Sequence, residues 1–265
     1  MRNYVSKPLI GVVLLLPCLV LGAWAQAPDS LQLINAGAGY VMGGVYTSPY
    51  GISIDGGSTV PLICDDFTTD ININETWTAI PTTFAALEAG SNPAGTPKFS
   101  PTTDPSVVPT KAVEIQDYAV TAVLAAELMA LPNLYSEQAG QISFALWGVF
   151  DPSLLTSTAS DPLGSDAYGS LTSTDFNAAK AYLAGAEAMV AGATSGGVVN
   201  LSEISIGGHA IEGLTIYSPN PAGSSQEFLS VSMAEPSYPL VFAADLLAMV
   251  GLILVLRRRL TGSVS

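Results

Sequence analysis

Hydrophobic and polar positions change period twice along this chain. After a short leader, the stretch from Gly39 to Phe67 alternates in twos: Ile52 and Ile54 stand between polar neighbours, and Val60, Leu62 and Cys64 repeat the pattern. Asp55-Gly56-Gly57 between the two runs is a strong reversal signal, so the spacing predicts a β-hairpin. Pro61 cannot donate to a ladder, which assigns its strand to an edge or a bulge. Glu75 to Ile80 is a further strand, and Ser91 to Pro109, rich in Pro, Thr and Ser without periodicity, reads as a loop or flexible insertion.

From Lys111 the period lengthens. Val113, Tyr118, Ala122, Ala126 and Met129 recur at helical spacing, predicting an amphipathic helix that stops before Pro132. A second helix runs from Ser136, its N-cap, to Phe150, with Ile142, Ala145, Leu146 and Val149 on the buried side. A third, capped by Ser173 or Thr174, extends from Asp175 to about Ala191 and buries Phe176, Ala179, Leu183, Ala186 and Val190. Strands return near Val198–Ile206, Ile211–Tyr217 and Glu227–Val231. The order β, α, β predicts one α+β domain over residues 26–232, with antiparallel strands around about three helices.

The two ends carry a different signal. Arg2 and Lys7, the apolar run Leu9–Leu16, and the small residues Ala23 and Ala25 flanking Trp24 form a signal peptide over residues 1–25, to be cut by signal peptidase before Gln26. At the other end, seventeen residues from Leu240 to Leu256 contain one charge, Asp245, and lead into Arg257, Arg258 and Arg259. A helix of that length reaches roughly 25 Å, enough for a short membrane span with the arginines on the cytoplasmic side. The expected protein is therefore exported and tethered to the inner membrane by one C-terminal helix.

Glu235-Pro236, the apolar span and the arginine cluster, together with the signal peptide, resemble the PEP-CTERM sorting signal of Gram-negative bacteria. In this chain it covers 233–260, with Ala234 where the pattern has its first proline. The resemblance implies processing near Glu235-Pro236 by an exosortase, a membrane-embedded transpeptidase. It also implies association with exopolysaccharide or biofilm-type envelopes, with the protein at the cell surface or outside it after processing.

Charge narrows the partners. Residues 26–234 hold three lysines, Lys98, Lys111 and Lys180, no arginine and twenty carboxylates, a formal charge of −17. Nucleic acid and anionic lipid surfaces are poor partners for such a domain, because binding them needs Lys and Arg to displace counterions. Once Cys18 leaves with the signal peptide, Cys64 is alone and has no disulfide partner. No zinc pattern or calcium loop is present, and no metal or cofactor is expected. The acidic groups Asp55, Asp65, Asp66 and Asp70, and Asp151, Asp161 and Asp166, read as solvated loops.

Cys64-Asp65-Asp66, followed much later by Ala145-Leu146-Trp147, is similar to the thioester domains of bacterial surface adhesins, in which a Cys thiol condenses with a Gln side chain. In that motif the glutamine stands four residues before the tryptophan, and here that residue is Ser143. Gln141, two residues earlier, is the candidate acyl donor, but two helical positions turn a side chain through about 200°. Cys64 accordingly reads first as a small buried hydrophobe. The expected function is that of a non-enzymatic envelope or matrix protein. A surface adhesin with a degenerate Cys-Gln site is the first alternative, and a secreted glycan hydrolase using two carboxylates the second.

Overall fold

A computed structural model of the chain describes residues 27–37, 40–91, 97–155 and 171–235. The signal peptide, Pro236, the expected span at 240–256 and Arg257–Arg259 lie outside these, as do Cys18, Asp161 and Asp166. Among the described residues no helix is long and apolar enough to cross a membrane.

The chain opens with strand β1 (Asp29–Asn35), a short hairpin of β2 (Val41–Met42) and β3 (Val45–Tyr46), then β4 (Tyr50–Ile54), β5 (Thr59–Cys64) and β6 (Thr76–Thr83). Helices α1 (Phe84–Ala89), α2 (Lys111–Met129), α3 (Glu137–Phe150) and α4 (Ser173–Gly192) follow. The chain ends in β7 (Thr194–Ser195), β8 (Val198–Val199), β9 (Ser205–Ile206), β10 (His209–Pro219) and β11 (Phe228–Met233). The main sheet is antiparallel in the order β11-β5-β4-β1-β6-β10-β9, and β11 also pairs with β10. That last pairing closes six strands into a barrel, with β9 left as a flap on β10.

Alternation sorts the strand residues onto two faces. Leu31, Leu33, Ile52, Leu62, Cys64, Trp77 and Phe228 form one cluster, within the barrel. Their neighbours Ile63, Ile216 and Leu229 face outward and join the larger core made with the helices. The β4–β5 turn follows from residue chemistry: Asp55 and Gly56 both take positive φ (51° and 69°), and the amide of Gly57 donates to the carbonyl of Ile54 at 2.8 Å. Aspartate and glycine tolerate that left-handed region, as a type I′ hairpin requires. Pro61 is paired with Gly51 of β4, whereas β11 reaches β5 only at Ile63 and Cys64, so the proline sits on a locally open edge.

The architecture departs from the sequence reading in six places. α1, capped by the Thr83 hydroxyl on the Ala86 amide, is a further helix beside the three expected, and the strand expected near Val198–Ile206 is broken by a 3-10 turn over Leu201–Glu203 into β8 and β9. Asp29–Asn35 is not leader but a strand held on both sides, by β4 and by β6. α2 is not amphipathic over its length: every residue from Tyr118 to Ala126 is buried, because α2 lies between the sheet and the pair α3–α4. The cap of α4 is Thr172, whose hydroxyl accepts from the amide of Asp175 at 3.1 Å. The stretch expected as a loose insertion is tied down in its second half. There Phe99 stacks on Phe150 of α3 at 4.2 Å between ring centres, and Ser100 and Val108 are fully buried.

α3 docks through small residues. A Cβ at Gly148 would meet Leu155 Cδ1 at 2.4 Å and Cγ at 2.8 Å, while one at Gly140 would meet the flexible end of Met42, with Cε at 2.8 Å. Gly148→Ala is therefore expected to destabilise the domain by about 1–3 kcal/mol through overpacking. Gly140→Ala is expected to cost less, since the thioether swings aside and the helix gains about 0.5–1 kcal/mol of propensity, although the Tyr40 ring carbon at 3.0 Å must also give way. Urea unfolding of the two variants checks this order.

Candidate functional site

Cys64 ends β5, where the chain leaves the barrel and enters the loop that carries Asp65, Asp66 and Asp70. α3 crosses that exit. Trp147 of α3 donates its indole N–H to the Cys64 carbonyl at 2.9 Å. The Cys64 amide donates to Ser48 Oγ at 3.0 Å, and the Ser48 amide donates to Ser143 Oγ at 3.2 Å. Ser143 passes its own hydroxyl hydrogen back to Ala139 O at 2.9 Å. The residue four before the tryptophan is thus linked to the cysteine's strand through one serine. It offers a hydroxyl where a thioester needs a carboxamide.

Gln141 is turned elsewhere, as its helical offset demands. Its amide donates to Asp175 Oδ1 at 2.9 Å and to Glu137 Oε1 at 3.3 Å. The hydrogen bonds from Gln141 and Thr172 outweigh the effect of burial and hold Asp175 below the usual carboxylate range. The structure therefore brings Cys64 to Ser143 and Trp147, and sets Gln141 against α4.

The thiol itself is quiet. Cys64 is fully buried and its Sγ donates to the Asp66 carbonyl at 3.1 Å. Burial, then the nearby charges of Asp66 and Asp65, push its pKa well above the ordinary thiol value. A nucleophilic cysteine needs the opposite surroundings.

The acidic residues of this loop were expected in solvent, and two of them are not there. Asp65 and Asp66 are fully buried, together with Glu227 of the β10–β11 connection. Lys98 explains how Asp66 tolerates this: its ammonium pairs with Asp66 Oδ2 and donates to Thr69 Oγ1 at 2.5 Å. Asp66 Oδ1 accepts from the Thr68 amide at 3.0 Å and the Thr68 hydroxyl at 2.9 Å. Glu227 accepts from the Lys98 backbone amide at 2.8 Å and from the Tyr118 hydroxyl at 2.5 Å. Asp65 has no hydrogen-bond partner on either oxygen among the described residues. Burial, reinforced by the charges of Glu227 and Asp66, drives its pKa well up. No periodicity marks Lys98 or Glu227 as members of this cluster. The only local hint was a lysine in a segment otherwise made of Pro, Thr and Ser.

Beside the cluster a groove of about 310 Å³ opens to solvent, walled by Tyr46, Tyr50, Phe67, Trp147, Asp66 and Asp70. Among the described residues no group of three or more His, Cys, Asp or Glu side chains could hold a metal ion. Glu235, the first residue of the expected processing motif, is exposed just after β11. Asp55, Asp70 and Asp151 do lie at or near the surface, as expected of solvated loops.

No family model and no curated protein matches the chain. Solved structures that resemble it in outline include the following two. One is the N-terminal domain of the Streptococcus pyogenes pilus tip adhesin Cpa, at a TM-score of 0.40 and 13% identity over 79% of this chain and 95% of that one. The other is the N-terminal thioester domain of the fibronectin-binding protein SfbI from Streptococcus pyogenes, at 0.39 and 10% over 80% and 95%. Likeness at this level says nothing of what the domain binds.

Because the thiol is enclosed and neutral, the native mature protein is expected to resist an alkylating reagent at pH 8 and to take up one label per chain after denaturation. Rapid labelling of the native protein would place Cys64 in a reactive setting instead.

Proposed function

We propose that this chain is an exported envelope or extracellular-matrix protein whose folded domain is a non-enzymatic binding module. The observation that supports this most directly is the environment of Cys64: a buried thiol with a raised pKa, bonded to the Asp66 carbonyl, on a strand that Ser48 bridges to Ser143 where a thioester needs glutamine. That pair has no acyl donor and no base, so attachment by this domain is non-covalent at Cys64. The aromatic groove with exposed Asp70 at its edge supports a neutral or cationic surface component, in keeping with the formal charge of −17 over residues 26–234. Asp66, already committed to Lys98, is poorly suited to serve as one of a hydrolase's carboxylate pair.

Delivery rests on the ends of the sequence. The signal peptide at 1–25 directs export. The span at 240–256 then holds the domain at the inner membrane with Arg257–Arg259 inside, and an exosortase cuts or transfers the chain near Glu235-Pro236. The strand β11 ends at Met233, two residues before Glu235, so before release the domain sits close to the membrane.

A second reading is a surface adhesin domain descended from a thioester site. It is favoured by one geometric fact, the Ser48 bridge that joins the Cys64 strand to position 143.

The C-terminus of the mature protein tests the proposal. With a functional exosortase the chain is expected to end near Glu235-Pro236, and without it to retain Arg257–Arg259. An intact arginine tail in both cases would remove the sorting role.

A further inference from the structure

The Lys98–Asp66 pair differs from a surface ion pair in three respects. Its carboxylate is wholly out of water and the lysine side chain is 12% exposed. The acceptor oxygen that does not face the amine, Oδ1, is held by two donors, the amide and hydroxyl of Thr68. A second carboxyl, Asp65, is fully buried next to it with both oxygens unpartnered among the described residues. This last feature lacks a structural explanation in the fold, since a buried polar group without partners is costly and could have been replaced by an apolar side chain.

We infer that Lys98 and Asp66 are joined in the mature protein by an amide bond between Lys98 Nζ and Asp66 Cγ, an internal crosslink between the loop after β5 and the segment before α2. The chemistry balances without a further reactant. A proton passes from the ammonium to the carboxylate, giving an amine and a carboxylic acid. The amine nitrogen attacks Cγ, and the negative charge that develops settles on Oδ1 between the two Thr68 donors. The Cγ–Oδ2 bond breaks, Oδ2 takes the second proton lost by nitrogen, and one water leaves.

Two physical conditions favour this course. The Asp66 carboxyl is fully buried and the Lys98 side chain only 12% exposed, so the two groups are held against each other with little water between them. Asp65, whose burial pushes its carboxyl toward the neutral form, lies next to the pair. Amide formation from an amine and an acid is unfavourable in open water. Here the reacting groups are held in contact, and an effective molarity on the order of 10⁵ M or more offsets that, while exclusion of water opposes the reverse hydrolysis. The bond would staple the exit of β5 to the segment that carries Phe99 and, through the Lys98 backbone amide, Glu227. Resistance to pulling and to proteases is the expected benefit outside the cell. The inference is independent of the sorting signal and of the ligand.

The test is intact-mass and peptide-map spectrometry of the mature exported protein. The expected result is a mass lower than that of the sequence by one water, with fragmentation locating the loss on a branched peptide joining Lys98 to Asp66. Lys98→Arg keeps a cation against Asp66 but cannot form the same link, so it is expected to fold and to show the full mass. Cys64→Ser is expected to keep the water loss. Full mass in the wild-type protein, with Lys98 and Asp66 in separate linear peptides, overturns the inference. So does a water loss that fragmentation assigns to a cyclised Asp55-Gly56. Loss of one ammonia in place of water, with Lys98 and Asp66 in separate linear peptides, likewise overturns the inference.

Discussion

Three carboxyl side chains, Asp65, Asp66 and Glu227, are shut away from water at one end of the barrel, and Lys98 is the cation set against them. An ionised carboxylate cannot be buried without a partner, so the position of Lys98 is a condition for the rest of the structure. The side chain answers Asp66 and the backbone amide answers Glu227, which also accepts from Tyr118 of α2. One residue thereby joins the β5 exit, the segment before α2, α2 itself and the strand that closes the barrel. Phe99, the next residue, carries the same segment into the apolar core against Phe150.

The functional character of the site follows from the same constraint. Acidic neighbours and burial keep the Cys64 thiol protonated, and α3 seals it with the Trp147 indole on one side and the Ser48–Ser143 bridge on the other. A cysteine arranged this way is not set up as a nucleophile. Outside it lies the groove, where tyrosine, phenylalanine and tryptophan faces stand near exposed Asp70.

Much of the fold was legible because it is written in local periods. The β4–β5 hairpin, the three long helices and the two final strands announce themselves through alternation, helical spacing, caps and the Asp55-Gly56 turn. Barrel closure was not legible, since the β10–β11 and β5–β11 pairings depend on which edges meet in space. β1 was missed although Leu31 and Leu33 alternate with polar neighbours, because a strand central to a sheet looks no different from a short leader until its partners are known. At the site, the offset of Gln141 from position 143 was enough to foresee that its side chain turns away. The burial of Asp65 and Asp66 was not foreseeable, because aspartates beside a cysteine read as solvated until a lysine thirty-two residues away is found against one of them.

Everything here depends on whether Lys98 and Asp66 act as one buried unit, and a double-mutant cycle on stability measures that directly. With Lys98→Met, Asp66→Leu and the pair, each single change is expected to cost about 3–5 kcal/mol, because each leaves a buried group unanswered. The double variant is then expected to be no less stable than the worse single. Single costs under about 1 kcal/mol that simply add would contradict the account, and would mark the pair as an ordinary solvated contact.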